Sequence, residues 1–100
     1  MTHTINVNSR DCYWMRNGDS TEYHRYKIVD KLKFLEQEYH FRRYLHLNSV
    51  YECLGVKWHP LDENVVFIRD ICDNLKFDVS ESVKIDGYDT FVVTIEYDDT

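Results

Sequence analysis

The chain has one proline and three glycines in 100 residues. Glycine this scarce leaves no phosphate-cradling loop, and neither a P-loop nor a dinucleotide fingerprint is present. No stretch approaches the ~20 apolar residues that span a bilayer, so no membrane association is expected. The opening residues, Met-Thr-His-Thr-Ile-Asn-Val-Asn, lack a basic n-region and an apolar h-region, so no secretory leader is expected. Cysteine is also sparse. Cys12, Cys53 and Cys72 are odd in number and widely scattered, whereas small secreted domains carry dense, even sets of bridges. Three free thiols in a reducing cytoplasm are expected, at least two of them in the core.

Chemistry-bearing spacings are missing as well. The five histidines form no His-x-x-x-His pair and the cysteines no Cys-x-x-Cys pair, and structural zinc usually draws on such close pairs. His40 and His46 stand at a poor helical spacing for a shared ion. No Gly-x-Ser-x-Gly elbow occurs and no glycine adjoins a cysteine, so nothing local activates a nucleophile. No metal, no cofactor and no enzymatic activity are expected.

What is present is a folded domain. Hydrophobic residues make up 43% of the chain and aromatic residues 15%, too apolar and too aromatic for a disordered chain. One domain over residues 1–100 is expected at this length. The net charge of −6 is uneven. Residues 1–59 hold nine Lys/Arg against seven Asp/Glu, whereas residues 60–100 hold three against eleven. An acidic surface disfavours phosphate backbones and anionic membranes. It suits a basic partner, or simply solubility.

Along the chain, Thr4-Ile5-Asn6-Val7 alternates like a short edge strand, Cys12-Tyr13-Trp14-Met15 is an apolar cluster, and Asn17-Gly18-Asp19-Ser20 reads as a turn. Asp19 with Glu22 has capping-box spacing for a helix start. Ile28, Leu32, Leu35 and Tyr39 then recur at helical spacing, with Val29 beside them. The helix is expected to reach about residue 45, with a break or bend near His40. A short helix follows, capped by Asn48 or Ser49, packing through Val50, Tyr51 and Leu54 and ending at Gly55. Pro60 favours an extended His59, and Asp62-Glu63-Asn64 reads as a turn.

The last third alternates as strands: Val65-Val66-Phe67-Ile68, then Leu75, Phe77 and Val79, then Phe91, Val93, Ile95 and Tyr97. Asp86-Gly87 invites a two-residue hairpin turn. That turn places Phe77 opposite Glu96, so a three-residue loop at 86–88, or a bulge near residues 80–82, is expected instead. The fold class is α+β, one long and one short helix on a small, mainly antiparallel sheet with a C-terminal hairpin.

The run Phe41-Arg-Arg-Tyr44-Leu45-His46-Leu47-Asn48-Ser49-Val50-Tyr51-Glu52-Cys53-Leu54-Gly55-Val56 resembles a pattern in small uncharacterised phage and prophage proteins of Gram-positive bacteria. These share an aromatic-bearing helix, Leu-Asn, Tyr, then Leu-Gly-hydrophobic. The resemblance covers roughly residues 28–97, with its specific part in 41–56. It implies the same α+β fold and a viral setting, hence the host cytoplasm, and carries no catalytic residue.

Three functions are open. The first is a non-enzymatic interaction module that binds a host protein, such as a defence or nucleic-acid-processing protein, its acidic face imitating nucleic acid. Asp73, Asp78, Glu81, Asp86 and Asp89, with Trp58 and Tyr88, are the expected partner-binding residues. The second is a virion or accessory structural protein that assembles with itself. Tyr13, Trp14, Tyr23 and Tyr26 exceed the needs of a small core and suit either interaction. The third is a nucleic-acid-associated regulator using Arg25, Lys27, Lys31, Lys33, Arg42 and Arg43. Glu22, Asp30, Glu36 and Glu38 lie among those charges, so direct nucleic-acid contact is the weakest of the three.

Overall fold

The structure is a computed structural model, and it describes residues 1–16, 18–57 and 65–99, without the side chains of residues 73 and 99. Asn17, Trp58, His59, Pro60 and the expected turn at Asp62-Glu63-Asn64 lie outside the described residues. The chain is α+β. Its elements are β1 (Thr2–Asn8), α1 (Thr21–Arg42), β2 (Tyr44–His46), α2 (Leu47–Leu54), β3 (Val66–Ile68), β4 (Cys72–Val79), β5 (Val83–Ile85) and β6 (Tyr88–Asp99).

The main sheet is antiparallel. β6 runs through its centre, with β1 on one side and β4 followed by β5 on the other. Ile5 and Val7, then Phe91, Val93 and Ile95, then Leu75 and Val79 turn inward by strand alternation. They meet Ile28, Leu32, Leu35 and Tyr39 of α1 and Val50 and Leu54 of α2 in one core. The expected α1 stripe is therefore the buried one. Thr4, Asn6, Lys76, Asp78 and Glu96 lie on the opposite face and are exposed. β2 and β3 form a separate antiparallel pair.

Several boundaries differ from expectation. The N-cap of α1 is Ser20, whose Oγ accepts the Tyr23 N–H at 3.1 Å, so Asp19 and Glu22 do not form the capping box. Asp19 instead faces His24. The helix does not break at His40. It runs to Arg42 and stops because Arg43 takes the left-handed conformation at φ 67°. α2 begins at Leu47 with no side-chain cap, so Asn48 and Ser49 sit inside its first turn. Gly55 ends it as expected, at φ 76°.

The hairpin resolves the register conflict by the second expected route, an irregularity at residues 80–82. The two-residue turn Asp86-Gly87 does form, both residues at positive φ (52° and 84°), and it sets Ile85 opposite Tyr88. The longer 86–88 loop is not used. Beyond residues 80–82 the register has slipped by one, so Val79 faces Val93 and Phe77 faces Ile95. The break is held by Ser80. Its N–H donates to the Val92 carbonyl and its Oγ accepts the Val92 N–H, both at 2.9 Å. A serine hydroxyl thus replaces a ladder carbonyl, and the apolar face is kept without lengthening the turn.

Candidate protein-docking face

α1 carries large side chains on two sides, the outer ones set among the exposed Asp30, Lys33 and Gln37. Tyr23, Tyr26, Phe34 and Phe41 fall roughly opposite the core stripe at helical spacing, and all are exposed. Phe41 is 87% exposed, Tyr26 66% and Phe34 55%. A surface helix normally presents charged and polar residues there. Four aromatic rings on a solvent-facing side forfeit burial free energy unless something covers them.

The face continues into a groove. Phe34, Leu35, Tyr44, Leu45, His46 and Cys53 line a cleft of about 350 Å³ between α1, β2 and α2. Its position follows from chain direction. The left-handed Arg43 turns the backbone at the end of α1, and Tyr44 then starts the strand that flanks the helix. Tyr44 packs edge-on against His46, ring centres 5.6 Å apart. The Arg42 guanidinium bonds Glu38 at 2.8 Å on the rim. The Cys53 thiol points at the Lys31 carbonyl (3.9 Å), and burial pushes its pKa up, so it behaves as an apolar lining rather than a thiolate. An apolar cleft with a charged rim and neighbouring exposed rings is the composition of an interface core.

Among the described acidic residues expected to bind a partner, Asp89 alone is buried. Asp89 is 3% exposed and points into the protein. Its carboxylate accepts Lys84 Nζ at 2.6 Å, Thr21 Oγ1 at 3.0 and 3.1 Å, and Ser82 Oγ at 3.2 Å. His24 Nδ1 adds a bond at 3.0 Å. Burial alone raises this carboxyl, but the hydrogen bonds from Lys84, His24 and Thr21, with the Lys84 charge, outweigh it and hold the pKa at about 2. Asp89 is thus neutralised inside the fold and withdrawn from any partner. Asp78 is exposed on the open sheet face, with Oδ1 accepting the Val79 N–H at 2.9 Å. Glu81 is exposed in the 80–82 break and Asp86 at the hairpin turn. Asp73 belongs to β4 beside a register shift. Trp58 is outside the described residues.

Asp86 and half-buried Tyr88 do come together, with Asn6, Arg10, Val83 and Ile85, around a hollow of about 470 Å³ on the open side of the sheet. The hollow is mostly apolar, with acid, base and amide groups around it, so it is not uniformly acidic. The basic residues of α1 are partly engaged. Lys31 lies 5.2 Å over the Trp14 ring, and Arg25 reaches the Val79 carbonyl at 3.5 Å.

No family model, curated protein or solved structure matches the chain. Among the described residues no group of three or more His, Cys, Asp or Glu could hold a metal ion, and no helix is long and apolar enough to cross a membrane. Cys12 and Cys72 are buried free thiols, as expected. His24 with Asp89 has the orientation of a catalytic base and its partner. Its other nitrogen, Nε2, faces the Asp19 carboxylate at 3.7 Å rather than a hydroxyl or thiol. The geometry suits a structural tie between α1 and the hairpin.

Sequence reasoning found Tyr23 and Tyr26 but passed over Phe34 and Phe41. The signal was present: both fall off the Ile28-Leu32-Leu35-Tyr39 stripe, seven residues apart, on the polar side of the helix.

Proposed function

We propose that the protein is a non-enzymatic interaction module that docks onto another protein through the outer side of α1 and the adjoining groove. Phe34, Phe41 and Tyr44 are the anchors. The observation that supports this reading is the set of exposed aromatic rings on the outer side of α1. Its inner stripe fills the core, and its outer side exposes rings beside an apolar cleft. Large aromatic side chains in partly enclosed pockets supply most of the energy at protein interfaces.

The viral setting implied by residues 41–56 belongs to the same proposal, with a host protein as the partner. Nucleic-acid imitation by the acidic segment is the weaker route, because Asp89 is consumed internally and the hollow holding Asp86 also holds Arg10. Capture from host lysate tests the two routes together. The wild type is compared with Phe34→Ser/Phe41→Ser and with Asp78→Asn/Glu81→Gln/Asp86→Asn, each first shown to keep its circular dichroism spectrum. Loss of one defined protein with the aromatic pair, and retention with the acidic triple, is the expected result. The reverse pattern overturns the α1 reading.

A further inference from the structure

The two edges of the main sheet are finished differently. On β4 outward backbone groups at both ends of the strand, those of Cys72 and Val79, are engaged. The Val79 N–H donates to Asp78 Oδ1 at 2.9 Å, Arg25 reaches the Val79 carbonyl, and the Tyr39 hydroxyl donates to the Cys72 carbonyl at 2.7 Å. The strand also carries a register shift between Asp73 and Lys76. Side-chain caps and irregularities are how proteins blunt an edge against pairing.

β1 has no such protection. Met1 and Tyr97 exchange backbone hydrogen bonds, and Ser9 N–H bonds the Asp89 carbonyl. Antiparallel alternation then directs His3, Ile5 and Val7 toward β6, and the N–H and C=O groups of Thr2, Thr4 and Asn6 outward. Asn8, at the end of the strand, is capped: its carbonyl accepts the N–H groups of Asp11 and Cys12. Among the described residues nothing bonds the six outward groups of Thr2, Thr4 and Asn6. The strand spans seven residues without proline, lysine or bulge.

We propose that β1 pairs antiparallel with β1 of a second copy of this chain across a two-fold axis at Thr4, joining two sheets into one. Charge permits a second copy along this strand. The chain carries −6 overall, yet Thr2–Asn8 contains no Asp, Glu, Lys or Arg, so two like-charged molecules meet along an uncharged line. The register is self-complementary. Centring on Thr4 sets Thr4 against Thr4 of the partner, and Thr2 against Asn6 of the partner. All six outward groups are then satisfied by those of the other copy. Thr–Thr and Thr–Asn pairs suit the exposed side of such a junction, and Ile5 beside His3 of the partner extends the buried side. The interface is isologous and closes at two copies. It uses neither Phe34 nor Phe41, so it stands apart from the docking reading and makes the module bivalent.

Sedimentation from micromolar to millimolar concentration, with backbone amide exchange followed by NMR, tests it. A species of twice the 12.2 kDa chain mass is expected, with the amides of Thr2, Thr4 and Asn6 protected as it forms. Thr4→Pro removes an outward N–H that the fold does not use, and Thr4→Lys places two ammonium groups face to face on the axis. Both are expected to sediment as monomers with an unchanged circular dichroism spectrum. Phe34→Ser/Phe41→Ser is expected to leave the dimer intact. A wild-type monomer throughout, fast exchange of these three amides, or a dimer that survives Thr4→Lys overturns the proposal. A dimer abolished only by the aromatic pair also overturns it and assigns self-association to α1.

Discussion

Asp89 Oδ2 lies 3.0 Å from Nδ1 of His24, 65 residues away in sequence, and both side chains are buried. The contact fastens the first turn of α1 to the C-terminal hairpin. It also withdraws one carboxylate of the acidic segment from the surface: Asp89 is a structural acceptor with four donors around it.

Replacing Asp89 by Ala strands Lys84, Thr21 and His24 without their acceptor. We expect a loss of about 2 kcal/mol, the usual cost of leaving buried donors such as His24 and Thr21 without their acceptor. Urea denaturation measures it.

The same carboxylate sets an acid limit. Its pKa falls from 3.8 unfolded to about 2 folded, so its contribution is complete above pH 4 and is lost as pH falls through about 2. The linked free energy is about 2 kcal/mol. Denaturation of the wild type and Asp89→Asn between pH 5 and pH 2 checks the sign: the gap between them should narrow on acidification.

Gly55 is expected to be intolerant of a side chain. A Cβ there comes within 2.6 Å of Trp14 Cδ1 and 2.8 Å of Tyr13 Cε1, at φ 76°. Trp14 is held, since its Nε1 donates to the Leu54 carbonyl at the end of α2 (2.7 Å), as does the neighbouring Cys12 Sγ (3.1 Å). Gly55→Ala should cost about 2 kcal/mol and weaken the near-ultraviolet signal of Trp14.

Arg43 is the converse. It occupies the left-handed region at φ 67° as the C-cap of α1, where an L side chain costs about 1 kcal/mol and glycine is favoured. Arg43→Gly is expected to raise Tm by about 5 °C. A fall in Tm indicates that the Arg43 side chain contributes more than its backbone strain costs.

What could be read in advance was what depends on neighbours in sequence. Ile28, Leu32, Leu35 and Tyr39 declared a buried stripe by period, Gly55 declared a helix end, and the alternating 75–79 and 91–97 runs declared paired strands. What could not be read depends on distant partners. Asp89 looks like any surface acid until His24 and Thr21 are brought beside it, and the Ser80 hydroxyl acts as a ladder acceptor only once Val92 lies opposite. Ser20 outcompeted Asp19 as the cap because Asp19 was turned toward His24. Phe34 and Phe41 were legible as a spacing, but that they stay uncovered depends on where the sheet lies.

The most direct test of the docking account is the affinity for the captured protein, measured by calorimetry for the wild type and Phe41→Ala at low and high salt. Apolar anchoring predicts that Phe41→Ala weakens binding by ~10-fold or more while salt changes the wild-type affinity little. An affinity indifferent to Phe41→Ala that collapses with added salt contradicts it, and returns the function to the carboxylates.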